Sequence, residues 1–322
     1  MRKSTNASIF KSMLAAACSL AMCATLAACG NTSNSNDSKD SSSNSSKSGD
    51  TSLDQIAGVT AKGELGKKPE IALAKTPMTV QNNTYAVLQK GNGDVIEDGD
   101  RVCAQGIAVN VKDGSELMST WEKNTPDCSL VVSKSSMNES YYNLLKGQKL
   151  NATVAVGVND SNSSGTSYIM AMTLVSKSKD LKRAEGEQVK DIPANLPKVT
   201  LDKDGKPSID MNGQGDVDKL IIQPLIKGKG KKVKETDTVS ANYTGWLTNG
   251  KQFDSSWDRG QAADFSLQHV VKGWTQGLAG QTVGSQVLLV IPPDLGYGKD
   301  GSGDSIPGNA TLVFVVDILA AY

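Results

Sequence analysis

Histidine is almost missing from this chain: its 322 residues hold one, His269. A Ser-His-Asp triad would have to use that residue, and a multi-histidine metal site is excluded. The five cysteines include no Cys-x-x-Cys pair, which removes that redox motif. An excess of charge is lacking too, because 34 Lys and Arg balance 34 Asp and Glu. No global field therefore favours nucleic acid, and no such partner is expected. The only extended apolar run, Met13 to Ala28, is shorter than the ~20 residues a membrane span usually needs.

That run belongs to a targeting segment. Arg2, Lys3 and Lys11 precede or open it, and Leu26-Ala27-Ala28-Cys29 closes it. A basic start, an apolar stretch and small residues at a break mark a secretory signal over residues 1–28. The closing tetrad resembles the lipobox of bacterial lipoproteins. The resemblance implies cleavage before Cys29, diacylglycerol on its sulfur, and a lipid anchor at the extracytoplasmic face of a bacterial cell membrane. Such an anchor gains ~0.8 kcal/mol per buried methylene. An uncleaved anchor is the alternative, and it too places the rest of the chain outside the cytoplasm.

Residues 29–63 read as a tether. Asn31 to Asp50 is almost entirely Ser, Asn, Asp, Lys, Thr and Gly, with no apolar group to bury. Twenty such residues reach on the order of 25 Å. Residues 64–178 read as a mostly β domain, with apolar runs at Thr84–Leu88, Val102–Val111, Leu150–Val158 and Tyr168–Val175 split by turn signals. Residues 179–216 mix charge, glycine, Pro193, Pro197 and Pro207, and read as a linker. A second domain follows over 217–322.

The two domains repeat one another. Gly91-Asn92-Gly93 matches Gly228-Lys229-Gly230, Asp113-Gly114 matches Asn249-Gly250, and Trp121 matches Trp257. Asp127-Cys128-Ser129-Leu130 matches Asp264-Phe265-Ser266-Leu267, and the offset holds at 136 or 137 positions until it grows near the C-terminal end, where the loop after Val158 differs in length. At that offset Tyr243, Phe253, Asp254, Trp274 and Tyr297 face Gly106, Leu117, Met118, Met137 and Asp160. Turn and core positions persist in the first copy while these five differ.

In the second domain Val239, Ala241 and Tyr243 alternate with polar neighbours on one strand face. Asn249-Gly250 is a hairpin turn signal. Val270 to Leu278 suffices for a short helix, Val287–Ile291 is an apolar strand stopped by Pro292-Pro293, and residues 296–308 form a Gly-rich loop. Leu312, Phe314, Val316 and Ile318 face one way along a closing strand. Antiparallel strands on one short helix give an α+β class.

Order and spacing of Tyr243-Thr244-Gly245, Phe253-Asp254-Ser255-Ser256, Val270-Val271-Lys272-Gly273-Trp274, Leu295-Gly296-Tyr297-Gly298, Ile306-Pro307 and Thr311-Leu312-Val313-Phe314 resemble FKBP-type peptidyl-prolyl cis-trans isomerases. The match runs from about Leu220 to Tyr322. It implies two FKBP-like domains, each a bent antiparallel sheet around a short helix, the first degenerate. It implies an isomerase acting on proline-containing polypeptides and assisting the folding of exported proteins, with macrolide ligands and no cofactor. An FKBP-scaffold peptide-binding module or chaperone with little turnover is the alternative.

Residue by residue, the resemblance makes Trp274 the floor under the proline ring, with Phe253, Val270, Val271 and Phe314 as walls. Tyr243 shapes the wall and orients Asp254 near the substrate carbonyl, with Arg259 pairing to one or both. Tyr297 offers a hydroxyl to the substrate, and Ile306 a backbone N–H and an apolar contact. Ala263 stands at a further wall position that is aromatic in many members, and Ser302 where some carry a histidine. His269 reads as rim or solvent. Lys227, Lys229, Lys231, Lys232 and Lys234 read as a solvated surface cluster. Cys103 and Cys128 either form a disulfide outside the cytoplasm or remain two buried thiols.

Overall fold

The computed structural model describes residues 54–160 and 165–322. The signal segment, Cys29 and the chain up to residue 53 lie outside the described residues. Among those described, no helix is long and apolar enough to cross a membrane. The chain divides into two compact units, one ending at Ser178 and one spanning Lys179–Tyr322.

The first unit contains β1 (Asp54–Gln55), β2 (Val59–Lys62), β3 (Glu70–Leu73), β4 (Thr84–Gln89), β5 (Asp100–Asn110), β6 (Glu116–Ser119), β7 (Asp127–Val132), helix α1 (Glu139–Leu145), β8 (Thr153–Val158) and β9 (Tyr168–Lys179). Seven strands form one sheet in the order β1-β4-β8-β9-β5-β6, with β7 also on β5, and β2–β3 is a separate hairpin. Side chains alternate across the sheet. Val154, Val156 and Val158 pack toward Tyr142 and Leu145 of α1. Ala155 and Ile169 pack the other way, against Ile56 and Val59. A tether ending at residue 63 is therefore too long: residues 54–62 include β1 and β2, because Ile56 and Val59 are buried against the sheet. Cys103 and Cys128 are disulfide-bonded, S–S 2.02 Å, joining β5 to β7.

The second unit contains β10 (Gly186–Gln188), β11 (Lys198–Leu201), β12 (Pro207–Asp210), β13 (Ile221–Gly228), β14 (Thr238–Leu247), β15 (Gln252–Ser255), β16 (Ala263–Ser266), helix α2 (Lys272–Leu278), β17 (Gln286–Ile291) and β18 (Leu312–Ala321). Its sheet runs β10-β13-β17-β18-β14-β15, with β16 also on β14. One face carries Val239, Ala241, Tyr243, Leu289, Phe314 and Val316, which bury against Trp274 and Leu278 of α2. The helix presents Gly273 and Gly277 to β17. A Cβ at either would come within 2.4 Å of Ile291 or 2.6 Å of Leu289, so the glycines set the close approach of helix to sheet.

The opposite face corrects the expectation of a linker over 179–216. β10 pairs with β13, with Glu187 opposite Lys227. The β11–β12 hairpin covers the outer face, where Leu196, Val199 and Ile209 pack with Trp246, Leu288, Val290, Val313 and Val315. The prolines punctuate this segment but do not free it. Its apolar residues cover strands whose alternate side chains would otherwise meet water.

Both units thus share one sequence of elements, including a hairpin on the outer face. The offset changes after Val158, as the sequence suggests, and also earlier, before the helix. The Gly147 N–H bonds Ile96 O at 2.9 Å, and the Gly280 N–H bonds Val233 O at 2.9 Å. Ile96 and Val233 keep the 137 spacing, but the two glycines are 133 apart. Four extra residues precede α1, so the third helical residue Tyr141, not Met137, corresponds in position to Trp274. Between the last two strands, residues 159–167 replace the much longer 292–311, so Tyr297 and Ile306 have no counterpart and Asp160 is not one.

Candidate functional site

The site lies on the helix side of the second sheet. Antiparallel β14 and β18 place Tyr243 opposite Val316 and Gly245 opposite Phe314. Gly245 is obligatory: a Cβ would lie 2.6 Å from Phe253 and 2.7 Å from Phe314. Without it those two rings could not meet edge to face, 5.4 Å between centroids.

Trp274 enters from the first turn of α2 and is 4% exposed. Three rings stand edge-on around it: Phe265 at 4.9 Å, and Tyr243 and Phe314 each at 5.4 Å. Edge-to-face pairs of this kind are favoured by the ring quadrupoles. The cavity above has a volume of about 640 Å³. Besides those rings it is lined by Phe253, Val270, Val271, Ile306 and Tyr297, with Asp254 at its side. Tyr297, on the loop after a 3₁₀ turn at Pro293–Leu295, is 42% exposed at the mouth.

The polar side of the cavity is one network. The Tyr243 hydroxyl donates to Asp254 Oδ2. Arg259 donates from Nη1 to Asp254 Oδ1, and from Nη2 to the Tyr243 oxygen at 2.8 Å. The Ser255 N–H donates to Asp254 Oδ1 at 2.8 Å. Burial, then the bond to Asp254, pushes the Tyr243 hydroxyl up to about 12. Burial alone would raise Asp254, but the bonds from Tyr243 and Arg259 outweigh it and hold the carboxyl below its ordinary value. The bonds to Asp254 and Tyr243 raise Arg259 further. At neutral pH the three groups are a neutral phenol, a carboxylate and a guanidinium, each already partnered.

The structure thus brings Tyr243, Phe253, Asp254, Trp274, Tyr297, Val270, Val271, Ile306 and Phe314 around one cavity. Arg259 is bonded to two of them. The Ile306 N–H donates to Ser302 O at 3.2 Å in a short loop bridge, and its buried side chain faces the cavity. Phe265 was missed by sequence reasoning. Its signal was the alternation Ala263, Phe265, Leu267, which puts a ring on the cavity side two residues after the wall position held by Ala263. His269, Ser302 and Ser305 line the rim. Among the described residues no group of three or more His, Cys, Asp or Glu side chains is placed to hold a metal ion.

An indole floor ringed by aromatic edges, with Tyr243, Asp254 and Arg259 tied to one another at one side, makes a cavity of the class that accommodates an apolar ring. The comparisons give that class its family. A model for the FKBP-type peptidyl-prolyl cis-trans isomerase domain matches residues 229–319. A probable FKBP-type peptidyl-prolyl cis-trans isomerase of Haemophilus influenzae is 54% identical over 92 residues, 29% of this chain and 38% of that protein. An FK506-binding protein of Neisseria meningitidis is 44% identical over 105 residues, 32% of this chain and 96% of that protein. The crystal structure of FkpA from Escherichia coli aligns with 41% identity and a TM-score of 0.31, covering 38% of this chain and 51% of that one. This chain belongs to the FKBP-type peptidyl-prolyl cis-trans isomerase family. It spans less than two fifths of the Haemophilus relative.

Proposed function

We propose that the second unit catalyses cis-trans isomerisation of X-Pro bonds in exported polypeptides. The observation that carries this reading is the cavity itself: an indole floor ringed by aromatic edges, with Tyr243, Asp254 and Arg259 fixed at one side. Rotation about a prolyl amide must cross a barrier of about 18–20 kcal/mol, because resonance keeps the bond planar. Uncatalysed exchange takes ~10–100 s at 25 °C. A twisted amide has lost its resonance, and its carbonyl is less polar than in the planar form. Water stabilises the planar amide by hydrogen bonding, and an apolar cavity withholds that stabilisation. The twisted state is therefore favoured relative to the ground state with no covalent step. In this reading Trp274 takes the proline ring, Phe253, Val270, Val271 and Phe314 exclude water, and Asp254 lies beside the carbonyl. Tyr297 donates to the substrate backbone from the mouth. Macrolides are a second ligand class for the same cavity, and Ala263 and Ser302 reshape its mouth.

The first unit is a diverged copy that keeps the fold without the site. The shared order of elements supports this, as does the presence of Gly106, Leu117 and Met118 where Tyr243, Phe253 and Asp254 stand. The basic and apolar N-terminus and Leu26-Ala27-Ala28-Cys29 support a lipid anchor at the outer face of a bacterial membrane, with the Ser/Asn-rich stretch as tether. Mass spectrometry of the mature N-terminus tests the anchor, and Cys29→Ala is expected to release the protein from membranes or leave a precursor. Isomerisation of a proline peptide by the purified full chain tests the activity. Peptide binding without acceleration above buffer would favour the binding-module alternative.

A further inference from the structure

The β11–β12 hairpin does more than cover the outer face of the second sheet. Its turn, residues 202–206, reaches the loop that follows β15. There Lys206 Nζ forms an ion pair with Asp258 Oδ1. The other Asp258 oxygen accepts from Gln252 Nε2 at 2.7 Å. Trp257 lies against the turn as well: a Cβ on Gly205 would sit 3.4 Å from its ring. The buried Trp257 indole N–H has no hydrogen-bond partner among the described residues. The next residue after Asp258 is Arg259, which holds both Tyr243 and Asp254. The Arg259 side chain is 45% exposed, so the cavity does not immobilise it by burial. Its backbone N–H bonds Ser256 O at 3.1 Å, one turn within the same loop.

We propose that the hairpin turn positions the Arg259 loop, with Lys206 and Asp258 as the positioning residues, so that the guanidinium stays on Tyr243 and Asp254. The proposal rests on the reading of the cavity as an isomerase site. The family match begins at residue 229, so the hairpin lies outside the span that defines the family. The first unit offers a contrast. Its hairpin turn also carries a lysine that reaches across, but Lys68 pairs with Glu116 at 3.0 Å, on the edge strand itself. In the second unit the lysine lands beside the arginine that orders the polar side of the site.

The test is a cycle in the full chain: wild type, Lys206→Ala, Lys206→Arg, Arg259→Ala and the double alanine variant, each assayed for kcat/KM and thermal midpoint. Lys206→Ala is expected to lower kcat/KM about threefold, the scale a surface ion pair supports, with an unchanged midpoint. Lys206→Arg should restore it, and the double variant should match Arg259→Ala alone. Equal losses from Lys206→Ala in both backgrounds, or no loss in either, would overturn the proposal. The guanidinium ¹⁵N resonances of Arg259 read the positioning without turnover. A shift in Lys206→Ala that Lys206→Arg reverses supports it, and unchanged resonances overturn it. A wild type with no isomerisation would instead remove the activity reading, and the resonances would still decide on the hairpin.

Discussion

Arg259 donates to the Tyr243 hydroxyl at 2.8 Å while that hydroxyl donates its own proton to Asp254. The phenol therefore has its donor committed and a lone pair occupied before any substrate arrives. Asp254 is equally engaged, by Tyr243, Arg259 and the Ser255 N–H. A trio so tied shapes and polarises one wall of the cavity. It is badly arranged to move protons, which suits a reaction that makes and breaks no covalent bond.

If the rate comes mainly from holding a twisting amide in a water-poor cavity, no single polar group is indispensable. Asp254→Ala and Tyr297→Phe are each expected to slow isomerisation by about 10-fold, equivalent to about 1.4 kcal/mol of barrier. Phe253→Ala should cost at least as much, because it removes the ring that meets Phe314 and opens the wall to water. Rates measured on variants whose circular dichroism matches wild type check this. Complete loss from Asp254→Asn in a folded protein would mean that the carboxylate does chemistry.

The pH dependence of kcat/KM should be flat between pH 6 and 8. Tyr243 is pushed up to about 12 by burial and its bond to Asp254, so it stays protonated throughout. Asp254 is held below its ordinary value by Tyr243 and Arg259 against the effect of burial, so it stays ionised. The same direction gives the stability consequence: the network's contribution is full above the ordinary carboxylate value and fades as pH falls through the lower folded one. A bell-shaped rate profile that survives His269→Gln would contradict a mechanism without proton transfer.

Most of the cavity was legible because its residues sit in short motifs on regular elements. Val239, Ala241 and Tyr243 alternate on a strand, and Trp274 follows at the start of the helix. Phe265 was hidden because its strand is only four residues long, and it reads first as part of a repeat. The Ile306 N–H bond to Ser302 was not legible because a bridge inside a Gly-rich loop has no periodic signal. Matching residues of the two units at one spacing slipped at α1, where four added residues leave a polar loop and no change in apolar pattern. The hairpin over 198–210 was mistaken for linker because prolines and charges dominate its composition. Its few apolar residues acquire meaning only against the outer face of a sheet that is remote in sequence.

That hairpin and the segment leading into it should be required for a stable second unit. Leu196 is 5% exposed and packs with Trp246, Leu288 and Val313. Leu196→Ala is expected to destabilise the unit by about 2–5 kcal/mol, the usual range for a buried leucine, read from denaturant unfolding. A fragment 179–322 should fold and catalyse, whereas 220–322 leaves those outer-face residues bare and should be less stable and prone to associate. Equal unfolding midpoints for the two fragments would show that the outer layer is dispensable.

Asp317 gives the second unit a pH dependence of the opposite sign to that of Asp254. It is 2% exposed on β18, accepting from the Ala184 N–H and from Gln286 Nε2, each at 2.8 Å. Burial raises its carboxyl above the ordinary 3.8, and the two hydrogen bonds and the Arg183 charge only partly oppose this. The folded state therefore binds this proton more tightly than the unfolded state does. Its contribution is fully present below 3.8 and is lost as pH rises through the higher folded value. Asp317→Asn keeps the shape and removes the titration. The Asn carbonyl can accept from Ala184, and Gln286 can turn its own carbonyl toward the new amide. The stability of Asp317→Asn relative to wild type, from urea unfolding at matched pH values, should therefore rise as pH increases from 3.5 to 7. A difference independent of pH would mean that Asp317 is as acidic folded as unfolded.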